Sequence, residues 1–280
     1  MSGTLYIVST PIGNLGDITL RALDVLRAAD FIAAEDTRVA HRLLSHFDIH
    51  KPLVSYYEHN KLARGDEILA RIQGGESCAL TTDAGTPAIS DPGALLVSQC
   101  REAGIPVQTV PGACAAVAAF SLCGNIGARF TFEGFLSMNK VSRREHLASL
   151  VHETRPMIFY EAPHKLRATL DDFVRTFGED RVVYFARELT KLHEECVART
   201  LGEAAAFYRE HEPRGEYVLI VTGADGTPAA PAVDALALAR RYAAEGASPS
   251  DAARRAARET NMPRSPIYRA LLADAADPEP

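Results

Sequence analysis

Apolar positions in the first 124 residues fall into short unbroken runs separated by stretches with helical spacing. LYIVST (5–10), FIAAED (31–36), PLVSYY (52–57), CALTTD (78–83) and PVQTV (106–110) read as strands. Between them, apolar Ile18, Ala22, Val25, Leu26 and Ala29 lie along one helical face, with Asp17 as its expected N-cap. A helix is expected around Leu43. Another spans 66–73 and is stopped by Gly74 and Gly75, and a third is introduced by Asp91-Pro92 and ended by Gly104. Buried strands alternating with helices predict a parallel sheet covered on both faces.

The pattern then restarts. FTFEGF, MIFYEA, VVYFARE, CVART and EYVLIV form a second set of strands, with helices from Ser142 and from His164. The predicted fold class is therefore α/β, with two α/β domains over 1–125 and 126–223. A Gly/Pro/Ala linker covers 224–232, and a small helical tail over 233–280 completes the chain. In the tail, Ser250 or Asp251 is expected to cap one helix. Pro263 would break it, and Ser265 would cap the next ahead of Pro266, which is helix-turn-helix spacing.

Composition narrows the function classes. The chain has 280 residues, 47% hydrophobic and 24% charged, which is the balance of a globular protein. No apolar run is long enough to span a membrane. The start MSGTLYIVST has no basic segment, which argues against a signal peptide and for the cytoplasm. Five scattered cysteines form no metal-ligand or disulfide spacing, so no metal site is expected. The net charge of −6 disfavours a protein that grips long nucleic acid through phosphates alone. The tail is the exception: residues 232–273 carry seven arginines against four acids.

Chemistry concentrates at the C-terminal ends of the first strands, where open α/β sheets bind ligands. TPIGN (10–14), EDTR (35–38), DAGTPAISDPG (83–93) and PGACAA (111–116) all fall there. A loop of eleven residues after the fourth strand is longer than a βα turn requires. Neither GxGxxG nor GxxxxGK[ST] is present, so the sequence does not support an ordinary NAD or ATP phosphate cradle.

Taken in order, the motifs LYIVSTPIGNLGDITLRAL, AAEDTR, TTDAGTPAISDPG, VPGACAA, FEGFL, IFYEAPHK and ARELTKLHEE resemble the tetrapyrrole methylase superfamily from about Leu5 to Val221. Within it they resemble the branch acting on small-subunit ribosomal RNA. Lys165 stands where that pattern has arginine. The resemblance implies S-adenosylmethionine bound between two α/β domains, a homodimer, and 2′-O-methylation of a cytidine in 16S rRNA of the 30S subunit. The cofactor residues it implies are Pro11 and Gly13 in the first loop, and Asp83, Gly85, Thr86, Pro87 and Ile89 in the long loop. Gly112, Ala113 and Ala115 follow in the fifth-strand turn, with Tyr160 and Gly215 from the second half. Polar candidates for the chemistry are Glu35, Asp36, Arg38, Glu161, Arg187, Glu188, Lys191 and Glu195. Lys191 would accept a proton if Arg187 depressed its pKa. Beside acids it would instead orient a phosphate, leaving the proton to Glu35 or Asp36. A tetrapyrrole or protein methyltransferase, and a non-enzymatic adenosine-ligand or RNA-binding protein, remain the alternatives.

Overall fold

The computed structural model describes residues 2–224, 235–260 and 264–276. β1 (Leu5–Val8), β2 (Phe31–Ala34), β3 (Leu53–Ser55), β4 (Cys78–Thr81) and β5 (Val107–Val110) form a sheet in the order β3-β2-β4-β1-β5, with every pair parallel. β2 and β4 are buried at all four positions, because helices cover both faces. Alternation sorts their side chains. Phe31 and Ala33 join the cluster with Ile68 of α3 (Lys61–Gln73) and Leu96 of α4 (Ala94–Glu102). Ile32 faces the other way, toward Leu26 of α1 (Leu20–Ala28) and Leu44 of α2 (Thr37–His46).

The second sheet runs β6-β7-β10-β8-β9. Its strands are β6 (Thr131–Phe135), β7 (Met157–Glu161), β8 (Val182–Arg187), β9 (Glu195–Thr200) and β10 (Tyr217–Val221). β6 and β7 are parallel, while β10 is antiparallel to both β7 and β8, and β8 to β9. One face carries Phe159, Phe185 and Leu219, which pack with Phe173 of α7 (Pro163–Phe177) beneath that helix, α6 (Lys140–Ser149) and α8 (Leu201–Glu210). The opposite face packs Ile158, Ala186 and Val218 against Ala116 and Ala119 of α5 (Ala115–Leu122). α5 therefore ties the two sheets together, and the residues through Ala224 form one compact unit. A second unit holds α9 (Ala235–Ala244), α10 (Pro249–Thr260) and α11 (Arg264–Ala276) around Leu238, Tyr242, Ala253 and Ile267.

Several expected boundaries move for local reasons. Asp17 ends a short 3₁₀ turn (Leu15–Asp17). Thr19, extended at φ −80°, caps α1 by accepting from Ala22 N at 3.1 Å. α3 starts five residues earlier than expected, at Lys61. Asp91-Pro92 does not open α4, which follows Gly93 at φ 146°, a backbone angle suited to glycine. α8 carried no expectation; Thr200 and Glu203 form a reciprocal capping box at its start. In the tail Ser248, rather than Ser250 or Asp251, caps α10 by accepting from Asp251 N at 3.2 Å. α11 already includes Ser265 in its first turn. The expected linker, apart from Ala224, and Pro263 lie outside the described residues.

Candidate active site

The C-terminal ends of β1, β2, β4, β5, β6 and β7 open onto a cavity of about 450 Å³, closed on the far side by the end of β8 and the start of β10. That volume is in the range of small-ligand sites. Two first-sheet loops are stitched together beneath it. Thr10 N donates to Gly85 O at 2.8 Å and Gly85 N to Thr10 O at 3.1 Å, a two-residue antiparallel bridge. Ser9 Oγ lies 2.9 Å from Thr86 Oγ1, which donates to Ala113 O at 3.1 Å. Three loops thus share one hydrogen-bonded floor. Gly85, at φ +88°, takes a conformation that L side chains avoid. At Gly112 a Cβ would stand 2.9 Å from Ser9 Cβ, so the β5 turn can approach β1 only as glycine.

The cavity has two chemical faces. Ile12, Ile89, Cys114, Ala115, Leu189 and Val218 supply an apolar wall. Tyr160 on β7 joins it, and its hydroxyl accepts from Ala116 N at 3.1 Å. Burial pushes the Tyr160 phenol up to about 12, so it stays neutral. The other face is acidic, with Glu35, Asp83, Asp91, Glu161 and Glu216. Glu161 is 5% exposed and is held by Ala162 N at 2.9 Å and by the Thr169 hydroxyl. Thr169 in turn accepts from Arg143, whose Nε pairs with Asp172 at 2.6 Å. Burial, reinforced by the charge of Glu35, raises the Asp91 carboxyl to about 6 against an opposing influence of the nearby Thr82 hydroxyl. Burial also raises Asp83, opposed by the hydrogen bond from Asp36 N.

Of the residues expected at the cofactor, Asp83, Gly85, Thr86, Ile89, Ala115 and Tyr160 line the cavity, as does Glu35. Pro11 and Gly13 flank Ile12, which lines it in their place. Pro87 lies between two lining residues. Gly112 and Ala113 sit behind Cys114, and Ala113 offers its carbonyl to Thr86. Gly215 precedes Glu216. Its φ of +79° favours glycine, and an added Cβ would have to displace the Glu188 side chain, whose Cγ would lie 2.6 Å away. Asp36 lies outside the lining. Its pairing with Arg38, which donates to both carboxylate oxygens, holds it down to about 2.

The anticipated influence of Arg187 on Lys191 does not form. Arg187 Nε donates to Glu195 at 2.6 Å, and Lys191 Nζ bridges Glu216 at 2.7 Å and Glu188 at 3.0 Å. Burial lowers the Lys191 pKa, but the two carboxylates outweigh it and the net shift is upward, so the amine is a charged strut and not a base. Asp91, Cys114, Phe135, Leu189, Glu216, Tyr217 and Val218 line the site without having been expected there. Asp91 was legible inside the long loop. Tyr217 and Val218 were not, because only the antiparallel pairing of Tyr217 with Glu161 brings β10 to this edge. Among the described residues no His, Cys, Asp and Glu cluster could hold a metal ion. No helix among them is long and apolar enough to cross a membrane.

The family described as Tetrapyrrole (Corrin/Porphyrin) Methylases matches residues 4–205. A relative in Synechocystis sp. named Ribosomal RNA small subunit methyltransferase I is 46% identical over 277 residues, covering 98% of this chain and 99% of that one. A protein of the same name from Escherichia coli O157:H7 is 50% identical over 223 residues, 79% of this chain and 78% of that one. Among solved structures, diphthine synthase has a TM-score of 0.62 at 14% identity, over 79% of this chain and 90% of that one. Uroporphyrin-III C-methyltransferase from Thermus thermophilus, complexed with S-adenosylhomocysteine, has a TM-score of 0.58 at 16% identity, over 79% and 97% of the two chains. At such identities the structural likeness speaks to the fold alone.

Proposed function

From its membership of the tetrapyrrole methylase family, to which the chain belongs, we propose that it methylates the 2′-hydroxyl of a cytidine in 16S rRNA of the 30S subunit, with S-adenosylmethionine as donor. The observation that carries the donor assignment is the two-faced cavity. An apolar wall with Tyr160 suits a purine, and an acidic wall suits a ligand bearing a sulfonium and an ammonium. Gly85 and Gly112 keep Cβ atoms out of the floor where a ligand must approach backbone. When bound, the donor supplies an electrophilic methyl group. The chain's own contribution is to align donor and acceptor, exclude water and accept one proton. Tyr160 is fixed by α5. Glu161 is fixed by the Thr169–Arg143–Asp172 chain, and Glu216 by Lys191.

The RNA assignment is supported by the relatives' names, which persist at 46% identity over nearly the whole chain. The tetrapyrrole alternative lacks that support, since Thermus thermophilus uroporphyrin-III C-methyltransferase shares 16% identity. Because the chain carries a net −6, assembled 30S particles should be methylated faster than free 16S RNA, with shape and ribosomal proteins assisting recognition. Faster transfer from labelled donor to free RNA would contradict this.

The basic tail serves as an RNA contact in this reading. Part of its charge is used internally: Arg254 pairs with Asp251, and Arg255 lies 4.9 Å from the Tyr242 ring centroid. Truncation after Ala224, whose N–H closes the first unit onto Glu153 O at 2.7 Å, should leave donor affinity unchanged, weaken RNA binding and flatten its salt dependence. Equal salt slopes for the two forms would refute an electrostatic role. The enzyme works in the cytoplasm as a homodimer. Exposed Val117 and Leu122 on α5, with exposed Phe130 nearby in sequence, support self-association. Sedimentation at micromolar concentration should give twice the chain mass, and a monomer mass would exclude the dimer.

A further inference from the structure

Five carboxylates line the cavity, and hydrogen bonding separates them. Glu161 has a donor on each oxygen, Ala162 N and the Thr169 hydroxyl. Glu216 Oε2 is held by Lys191 at 2.7 Å. Glu35 Oε2 accepts from Thr82 Oγ1 at 2.7 Å, and Asp83 Oδ1 from Asp36 N at 3.1 Å. Asp91 is the least committed. The neighbouring Thr82 hydroxyl has a single proton and gives it to Glu35. The residue after it is Pro92, which has no N–H to offer. A carboxylate with free lone pairs on a cavity wall can receive a proton from a bound ligand; one already saturated by donors receives it poorly.

We propose that Asp91 is the proton acceptor for the hydroxyl that is methylated. This rests on the reading that the acceptor is a ribose hydroxyl. The hydroxyl oxygen forms a bond to the methyl carbon as the carbon–sulfur bond of the donor breaks, its electron pair staying on sulfur. The hydroxyl proton passes to the Asp91 carboxylate and then to solvent. The surroundings favour this transfer. Glu35 from the loop after β2 and Asp83 from the same loop as Asp91 both raise its proton affinity by their charge, and Tyr160 on β7 stays neutral beside it. Asp91 near 6 is ionised at neutral pH yet basic enough to act there, whereas Asp36 near 2 is a far weaker acceptor.

The sign is that of a base. The ionised form is present above about 6, and activity falls as pH drops through that value. Asp91→Asn tests the assignment with three measurements. In the protein alone, carbon-13 carboxyl titration should show one aspartate near 6 that is missing from the variant. Calorimetry should show S-adenosylmethionine affinity falling by about tenfold at most, because four other carboxylates keep the wall acidic, a loss much smaller than that of the rate. Single-turnover methylation of 30S subunits should fall by about 100-fold or more, and the residual rate should lack the acid limb. Glu35→Gln supplies an independent arm: with that charge gone, both the Asp91 titration and the wild-type acid limb should move to lower pH. A methylation rate within about threefold of wild type in Asp91→Asn, an acid limb that survives in that variant, or no shift in Glu35→Gln would each overturn the proposal. Failure of the wild type to methylate any 30S hydroxyl would instead sink the functional reading, while the carboxyl titration still reports on Asp91 itself.

Discussion

Gly85→Val is expected to weaken S-adenosylmethionine binding by at least about 100-fold, equivalent to about 2.7 kcal/mol. Two effects combine. The backbone at Gly85 sits at φ +88°, where a β-branched residue is strained by a few kcal/mol. Its Cβ would already lie 3.4 Å from Ile12 Cγ2 and 3.7 Å from Ala113 O, so the two added methyl groups must enter the cavity or push Ile12 aside. Either movement also disturbs the Thr10–Gly85 bridge that joins two of the binding loops. Gly104→Ala is the control. Gly104 has φ +68°, but an added Cβ would meet nothing within 4 Å, and the residue lies after α4, away from the cavity. That variant should lose about 1 kcal/mol of stability and keep its affinity. Calorimetry separates the two, and binding by Gly85→Val within about threefold of wild type would contradict the site.

Phe159→Ala should destabilise the protein by about 3–5 kcal/mol, a large part of the stability of an ordinary domain. Phe159 is fully buried, with its ring centroid 4.9 Å from that of Phe173 on α7, and it belongs to the larger core of the second sheet. Alternation along β7 points Phe159 toward α7 and Tyr160 toward α5. Truncation therefore empties the core behind the site without removing a lining residue. Chemical denaturation should show the loss, while donor affinity measured well below the melting temperature should change by less than about tenfold. A stability change under about 1 kcal/mol would mean that the core does not pack around this ring.

The first sheet was legible because its information is local. Unbroken β-branched and alanine-rich runs such as Phe31–Ala34 have no polar face to expose, so they mark buried parallel strands. The ligand loops were legible for the related reason that their glycines and prolines follow those strands directly. The second sheet was harder. Its strands were visible as apolar runs, but their antiparallel order depends on β10 inserting between β7 and β8, a pairing set by packing rather than by any one segment. Tyr217, Val218 and Glu216 reach the site only through that insertion. Lys191 reads as a possible base in the sequence because its partners are remote in different degrees: Glu188 is three residues away, but Glu216 is twenty-five. The caps failed where competing side chains lay close in sequence, as with Asp17 and Thr19, because the hydroxyl that meets a free N–H depends on where the helix axis starts.

The most direct test of the whole account is the chemical position of the transferred methyl group. Purified 30S subunits lacking the modification are incubated with the enzyme and S-adenosylmethionine carrying a labelled methyl group. The 16S RNA is then isolated and hydrolysed in alkali. Cleavage needs a free 2′-hydroxyl, so a 2′-O-methylated nucleotide survives as an alkali-resistant dinucleotide. The label should appear in one such dinucleotide whose 5′ residue is cytidine. Label released in single nucleotides, attached to a ribosomal protein, or absent from the particle would contradict the assignment of this cavity to ribose methylation.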